Sequence, residues 1–130
     1  MFSFGKKKKE KENLVQKEEK NEIDSSKILS ELQEKEKQLE QIKDRDRINL
    51  LNELGAGYHK INEIDKAIYF YEISLSESKE IGKAYTDLMK LYNIKRKAAT
   101  EEKNDEQMKF YMNKIDELMK LSKDVIRGRA

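Results

Sequence analysis

The sequence predicts an all-α protein in which four to five helices pack as antiparallel helical hairpins. Three observations lead to this class. The 130 residues include no Pro and only 5 Gly, so the usual interruptions of long helices are rare. Apolar residues recur at spacings of three and four, as they do along one face of an α-helix. One pattern of Leu and Tyr also returns after 34 residues, which indicates a helical repeat.

The first 23 residues are densely charged and have no periodic apolar face. We therefore expect residues 1–23 to form a disordered, Lys-rich leader that is simply solvated. Phe2 and Phe4 stand beside the basic run 6–9, so contact of the leader with an anionic membrane surface is the less favoured alternative. No apolar stretch follows that run and none approaches a membrane span, so we expect a cytoplasmic protein.

Residues 24–46 are predicted to form one N-terminal amphipathic helix. The polar residues 24–26 suit a helix N-cap. The apolar positions that follow are Ile28, Leu32, Leu39 and Ile42. Lys35 stands where a heptad needs an apolar residue, which disfavours a coiled coil. We expect this helix to pack on the rest of the chain through one narrow face.

A first helical hairpin is predicted around Asn62, a residue that suits both the end of one helix and the start of the next. Two apolar stripes flank it: Leu51, Leu54, Tyr58 and Ile61 come before, and Ile64, Ala67, Ile68, Tyr71 and Leu75 come after. Antiparallel packing is the simplest way to bury both stripes.

A second, longer hairpin repeats this organisation. Tyr85, Leu88 and Tyr92 lie 34 residues after Leu51, Leu54 and Tyr58. In its second helix the positions expected to face inward are Met108, Tyr111, Met112, Ile115 and Met119, which lie 41 residues after their counterparts. The added seven residues make about two helical turns, so the apolar face keeps its direction.

The first hairpin resembles the tetratricopeptide repeat family, in which Leu54, Gly55, Tyr58, Ala67 and Tyr71 occupy the usual small and large positions. Its departures are Ser74 for Ala, Lys79 for the closing Pro and, in the second hairpin, Met89 for Gly. The resemblance covers residues 47–127, with one good repeat and one degenerate, elongated repeat. It implies a superhelix of paired helices that binds other proteins.

No assembled chemistry is expected. The chain has no Cys, and its single His, His59, lacks the spacing of a metal site. Gly55 and Gly57 lie within a helical stripe and not in a phosphate-binding loop. We therefore predict no catalytic residue, no metal and no cofactor, and thus no enzyme. A net charge of +2 with few Arg also disfavours a nucleic-acid partner.

The resemblance implies that the first helix of each hairpin lines a concave surface. The residues expected on this concave face are Asn49, Asn52, Ala56, His59 and Lys60 in the first hairpin, and Lys83, Thr86, Lys90 and Asn93 in the second. Asn side chains can bracket a peptide backbone, while Lys83 and Lys90 favour an acidic partner. Replacing Asn52 and Lys90 together is expected to abolish binding and leave the fold intact.

The predicted function is a non-catalytic protein-protein interaction module, an adaptor or a binding partner of another protein or peptide. An alternative comes from residues 113–123, which resemble small helical proteins encoded beside bacteriocin loci in Gram-positive bacteria. That resemblance implies an immunity-type or bacteriocin-associated protein that acts near the membrane surface.

A homo-oligomer is a further alternative. Two aromatics stand side by side in each second helix, Tyr69-Phe70 and Phe110-Tyr111. Adjacent helical residues diverge by about 100°, so both members of a pair cannot enter one narrow core. At least one aromatic of each pair is expected at a rim or a partner surface.

Overall fold

A computed structural model describes residues 25–128, of which 85% are helical. Five α-helices and no β-strand occur in this part of the chain. They are α1 (25–36), α2 (Asp44–Lys60), α3 (Ile64–Ser78), α4 (Lys83–Glu101) and α5 (Asp105–Ile126). The predicted all-α class of helical hairpins is confirmed. The leader predicted at 1–23 lies outside the described residues.

The hairpin domain predicted at 47–127 corresponds to α2–α5, with α2 paired to α3 and α4 paired to α5. Helix α4 packs on α3 and joins the two hairpins. Among the helices described, none combines the length and the apolar character needed to cross a membrane.

The single helix predicted at 24–46 is wrong in its second half. Helix α1 ends at residue 36, a 3-10 turn spans Leu39–Gln41, and Ile42 is extended at φ −115° and ψ 149°. The Arg47 guanidinium donates a hydrogen bond to the Leu39 carbonyl at 2.9 Å, which holds this turn against α2. Because the chain reverses here, α1 lies along α2, with Leu32 against Gly57.

The first helix of each hairpin ends in the same type of turn. Asn62 and Lys103 both have left-handed backbones, with φ of 63° and 56°. In each turn the following residue donates its N–H to the carbonyl five residues earlier at 2.8 Å. This is the Schellman pattern, which satisfies the free carbonyls at a helix end. The turns stand 41 residues apart, so the predicted extra seven residues lie in α4.

The core is widest around the first hairpin, where the largest fully buried side chains include Tyr58, Tyr71, Leu51 and Leu54. Gly55 permits the close approach of α2 and α3 in this part of the core. A Cβ atom at this position would stand 2.8 Å from atoms of the Tyr71 ring, so α2 and α3 could not pack as they do. The small residue expected at the helix contact is therefore required by the packing.

The inward face of α5 agrees only in part with the predicted one. Tyr111 is buried and Ile115 packs against the core, as expected. Met112 and Met119, however, are 47% and 46% exposed, and Leu118 is buried in their place. The Tyr111 ring packs against Tyr92 of α4, with 6.2 Å between ring centroids. Because α5 is the last helix described, its core contacts come from the α4 side, and that contact sets its rotation.

The prediction for the paired aromatics is confirmed. Tyr69 and Phe110 are 58% and 50% exposed, while Phe70 and Tyr111 are buried. Within each pair the rings meet edge to face, with centroids 5.1 and 5.0 Å apart. The buried ring is thus partly covered by its exposed neighbour.

Candidate protein-binding surfaces

The residues predicted for the concave face lie in two rows, one on α2 and one on α4. Asn49, Lys60, Lys83, Thr86 and Lys90 are exposed, whereas Asn52, Ala56, His59 and Asn93 are half-buried. Helices α2 and α4 touch each other only marginally. The structure therefore brings these residues to two neighbouring helix surfaces and not into one enclosed pocket.

Asn52 is not the free, exposed side chain that the sequence predicts. Its Oδ1 accepts a hydrogen bond from Ser74 Oγ at 2.5 Å, and Ser74 is fully buried. A buried hydroxyl needs such a partner, because an unsatisfied one destabilises the fold. Asn52 therefore completes the α2–α3 contact.

Asn93 is engaged within its own helix. Its Nδ2 donates to the Met89 carbonyl at 2.9 Å, and its Oδ1 accepts from Arg96 Nε at 3.3 Å. Lys83 Nζ lies 3.3 Å from Asp87 Oδ2, a surface ion pair on α4. Two of the three Asn side chains expected to bracket a peptide, Asn52 and Asn93, thus have partners inside the protein, whereas Asn49 and Lys90 are exposed on this face.

A different surface has the shape of a binding site. We call it the α3–α5 groove: a cleft of about 320 Å³ between α3 and α5, with α4 as its floor. Its apolar lining consists of Leu75, Leu88, Leu118 and Leu121. Its polar lining consists of Glu72, Ser76, Lys79, Tyr92, Lys114 and Glu117. The four Leu side chains give the groove a continuous aliphatic interior.

One wall of the groove is fixed by a three-residue cluster. Glu72 Oε2 accepts hydrogen bonds from Tyr92 Oη at 2.9 Å and from Lys114 Nζ at 3.2 Å. Burial, and then the bond to Glu72, raises the pKa of Tyr92, so its hydroxyl stays a neutral donor. The cluster ties α3 to α4 and α5 beside the groove.

Separate charges of both signs also line the groove. Lys79, which follows the last residue of α3, and Glu117 on α5 are exposed and line the cleft. Neither is in an ion pair with another described residue. A ligand with an apolar side chain in the interior can therefore place a charged group beside Lys79 or Glu117.

The sequence reasoning missed the groove because it assigned partner contact to the first helix of each hairpin. The groove is instead formed by the second helices, α3 and α5. The spacing of Lys114, Leu118 and Leu121 by four and three residues places them on one side of α5 and is the signal that could have indicated it.

In residues 25–128, no three His, Cys, Asp or Glu side chains are grouped as a metal site would need. All buried side-chain nitrogen and oxygen atoms in the same range have hydrogen-bond partners.

The fold and its groove define an all-α protein of antiparallel helical hairpins with an apolar cleft between its second helices. No protein-family model matches the chain, and no curated protein or solved structure gives a significant match to it.

Proposed function

We propose that this chain is a non-catalytic protein-protein interaction module that binds an apolar segment of another protein in the α3–α5 groove. The observation that supports the proposal is the aliphatic interior of the groove beside a fixed polar wall. Binding sites typically combine such an apolar interior with a few placed polar groups. The proposed resemblance to tetratricopeptide repeats supports the same class of function.

The volume of the groove defines what it can hold. About 320 Å³ is at the small end of ligand pockets, which begin at roughly 300 Å³. It suits one or two aliphatic side chains, and each such side chain contributes about 1.5–3 kcal/mol when it is buried. An amphipathic helix with Leu or Ile on one face fits a cleft between two helices. An acidic residue beside that face can pair with Lys79.

The test is to select helical peptides from a displayed library on the whole protein and to titrate the best binders. Ser76→Arg places a long charged side chain at the groove mouth, because Ser76 is exposed and lines the cleft. We expect at least a tenfold loss of affinity, which corresponds to about 1.4 kcal/mol.

Thr100→Arg is the matched control for this variant. Thr100 is also an exposed hydroxyl residue that donates to a backbone carbonyl of its own helix, at 3.0 Å, and it lies outside the groove. The affinity of the T100R variant for the peptides is expected to equal that of the wild type. Equal binding by the S76R variant would contradict the groove as the binding site.

The concave face is the second location to examine for the same function. Lys90 is exposed there, as the resemblance to tetratricopeptide repeats implies for a peptide contact. Lys90→Glu in the same titration separates the two surfaces, because it leaves the groove unchanged. Loss of binding in K90E with normal binding in S76R would place the peptide on the concave face.

A further inference from the structure

Two exposed aromatic side chains lie just beyond one end of the α3–α5 groove. Tyr69 is one turn before Glu72 on α3, and Phe110 is one turn before Lys114 on α5. Lys114 Nζ lies 3.2 Å from Glu72 Oε2 and 5.6 Å from the centroid of the Phe110 ring. Because Glu72 and Lys114 line the groove, the two aromatics continue its surface past the polar wall. We call Tyr69 and Phe110 the aromatic end of the groove.

The spacing along each helix places the aromatic end on the same side as the groove lining. The row on α3 and its C-cap is Tyr69, Glu72, Ser76 and Lys79, and the row on α5 is Phe110, Lys114, Glu117 and Leu121. Spacings of three and four keep the members of each row on one side of a helix. The contacts Asp65–Lys95 and Tyr71–Asp87 show that α3 runs antiparallel to α4. Since α5 also runs antiparallel to α4 in its hairpin, the two rows run side by side in the same direction.

The aliphatic interior and the aromatic end are about two helical turns apart. Tyr69 precedes Leu75 by six residues, and Phe110 precedes Leu118 by eight. At a rise of 1.5 Å per residue these separations are roughly 9 and 12 Å. Side chains seven residues apart on an α-helix lie on the same side and are about 10.5 Å apart. One bound helix can therefore contact both places with two of its side chains.

We propose that the ligand of the α3–α5 groove is an amphipathic helix of another protein with two apolar anchors seven residues apart. The first anchor is an aliphatic side chain in the groove interior, and the second is an apolar side chain between Tyr69 and Phe110. This inference rests on the proposed function and adds the spacing of the ligand residues. Each exposed ring packs edge to face on a buried neighbour, so both rings are held in place before a ligand binds. Aromatic side chains are also enriched at protein interfaces.

The charges along the groove favour a basic residue between the two anchors. Glu117 is exposed and lies between Phe110 and Leu121 in the α5 row. It forms no ion pair within residues 25–128, whereas Glu72 and Lys114 pair with each other. A Lys or Arg between the anchors can therefore pair with Glu117, and an acidic residue there would be repelled. The ligand helix thus has the order apolar, basic, apolar along the side that faces the groove.

Peptide selection on variants of the whole protein tests this spacing. The probe is a displayed library of helical peptides with one randomised face. Peptides enriched on the wild type should have two apolar positions seven residues apart, with Lys or Arg between them. On Tyr69→Ser with Phe110→Ser one of the two apolar preferences should disappear and the other should remain. Glu117→Gln should remove the preference for Lys or Arg, and Ser76→Arg should prevent enrichment altogether.

Titration of the best wild-type peptide measures the second anchor. We expect the Y69S/F110S variant to bind it at least tenfold more weakly than the wild type does. Replacing the second anchor of the peptide by Ala should have the same effect, and combining both changes should add little, because they remove one contact. Circular dichroism should show that the double variant is folded, since both replaced side chains are exposed.

Met112→Ser with Met119→Ser is the matched control. Both side chains are exposed apolar residues of α5. Each is two residues, or about 200° around the helix, from a residue of the α5 row. The control variant should therefore bind the peptide as the wild type does. An equal loss of affinity in this control would overturn the proposal, because the effect would not be specific to the aromatic end.

The remaining outcomes separate this inference from the proposed function. If the enriched peptides have one apolar position only, and S76R still prevents their binding, the second anchor is wrong and the groove remains the binding site. If no peptide is enriched on the wild type, both proposals are wrong. Sedimentation equilibrium examines a second copy as the occupant. A wild-type chain that dimerises, together with a Y69S/F110S variant that stays monomeric, would assign this surface to self-association and overturn the proposal.

Discussion

The hydroxyl of Tyr71 on α3 donates a hydrogen bond to Asp87 Oδ2 on α4 at 2.7 Å. Tyr71 is fully buried, so Asp87 satisfies a polar group that would otherwise destabilise the core. The same arrangement joins Tyr58 to Glu36 at 2.6 Å and Tyr92 to Glu72 at 2.9 Å. Three buried tyrosines thus each connect their own helix to another through a carboxylate at the protein surface.

These tyrosines should make the fold sensitive to alkali. Burial, and then the hydrogen bond to a carboxylate, raises the pKa of Tyr58, Tyr71 and Tyr92 above the ordinary value. A raised folded-state pKa means that the folded protein holds these protons more tightly than the unfolded chain. The contribution to stability is therefore complete below about pH 10 and is lost as the pH rises further.

Thermal unfolding followed by circular dichroism between pH 8 and 12 checks this expectation, together with tyrosinate absorbance at 295 nm. The melting temperature should fall above about pH 10, and absorbance should increase as the helices are lost. Tyr92→Phe should show a shallower fall, because one titrating group is absent. Full ionisation of all six tyrosines in a chain that stays helical would contradict the prediction.

Gly55→Ala should destabilise the protein by about 1–3 kcal/mol, as overpacking of a tight core typically does. The added Cβ would stand 2.8 Å from the Tyr71 ring, which is itself held by Asp87. Gly82→Ala is the control, because no atom lies within 4 Å of a Cβ at that position. Urea unfolding should separate the two variants clearly. A G55A variant as stable as G82A would show that α2 and α3 do not meet at Gly55.

Asn52→Ala should destabilise the fold by about 1–3 kcal/mol, because it leaves the buried Ser74 hydroxyl without a partner. Asn49→Ala should change stability by no more than about 0.5 kcal/mol, since Asn49 is exposed on the same helix. A double-mutant cycle of Asn52→Ala with Ser74→Ala measures the interaction energy between the two side chains. Additive effects in urea unfolding would mean that the two side chains do not interact.

Lys103→Asn should stabilise the second hairpin. Lys103 has a left-handed backbone at φ 56°, where a Lys is strained and an Asn is tolerated, as in the first hairpin at Asn62. We expect a gain of about 1 kcal/mol in the free energy of unfolding. Lys97→Asn, within α4, should instead lower the free energy of unfolding, because Asn is a poorer helix former than Lys. The same sign for both variants in thermal unfolding would contradict this explanation.

The sequence by itself determined the helices and hairpins of residues 44–126. Apolar spacing is a local property of the chain, and the turn at Asn62 uses a residue suited to its left-handed backbone. The equivalent turn at Lys103 is 41 residues later, as the repeat predicts. The exposure of one aromatic per pair also follows from local helix geometry, whereas the small residue at Gly55 was expected from the resemblance to tetratricopeptide repeats.

Only the tertiary structure decided how these helices use their faces. The reversal after α1 depends on contacts with α2, such as that of Arg47 with the Leu39 carbonyl. The helical pattern places Asn52 at a predicted surface position. Only the position of Ser74 on the other helix of the hairpin makes Asn52 part of the core contact. The α3–α5 groove and the exposure of Met112 and Met119 on α5 have the same physical reason. The spacing of apolar residues predicts which side chains are stabilised by burial, but the positions of the neighbouring helices determine which of these side chains are buried.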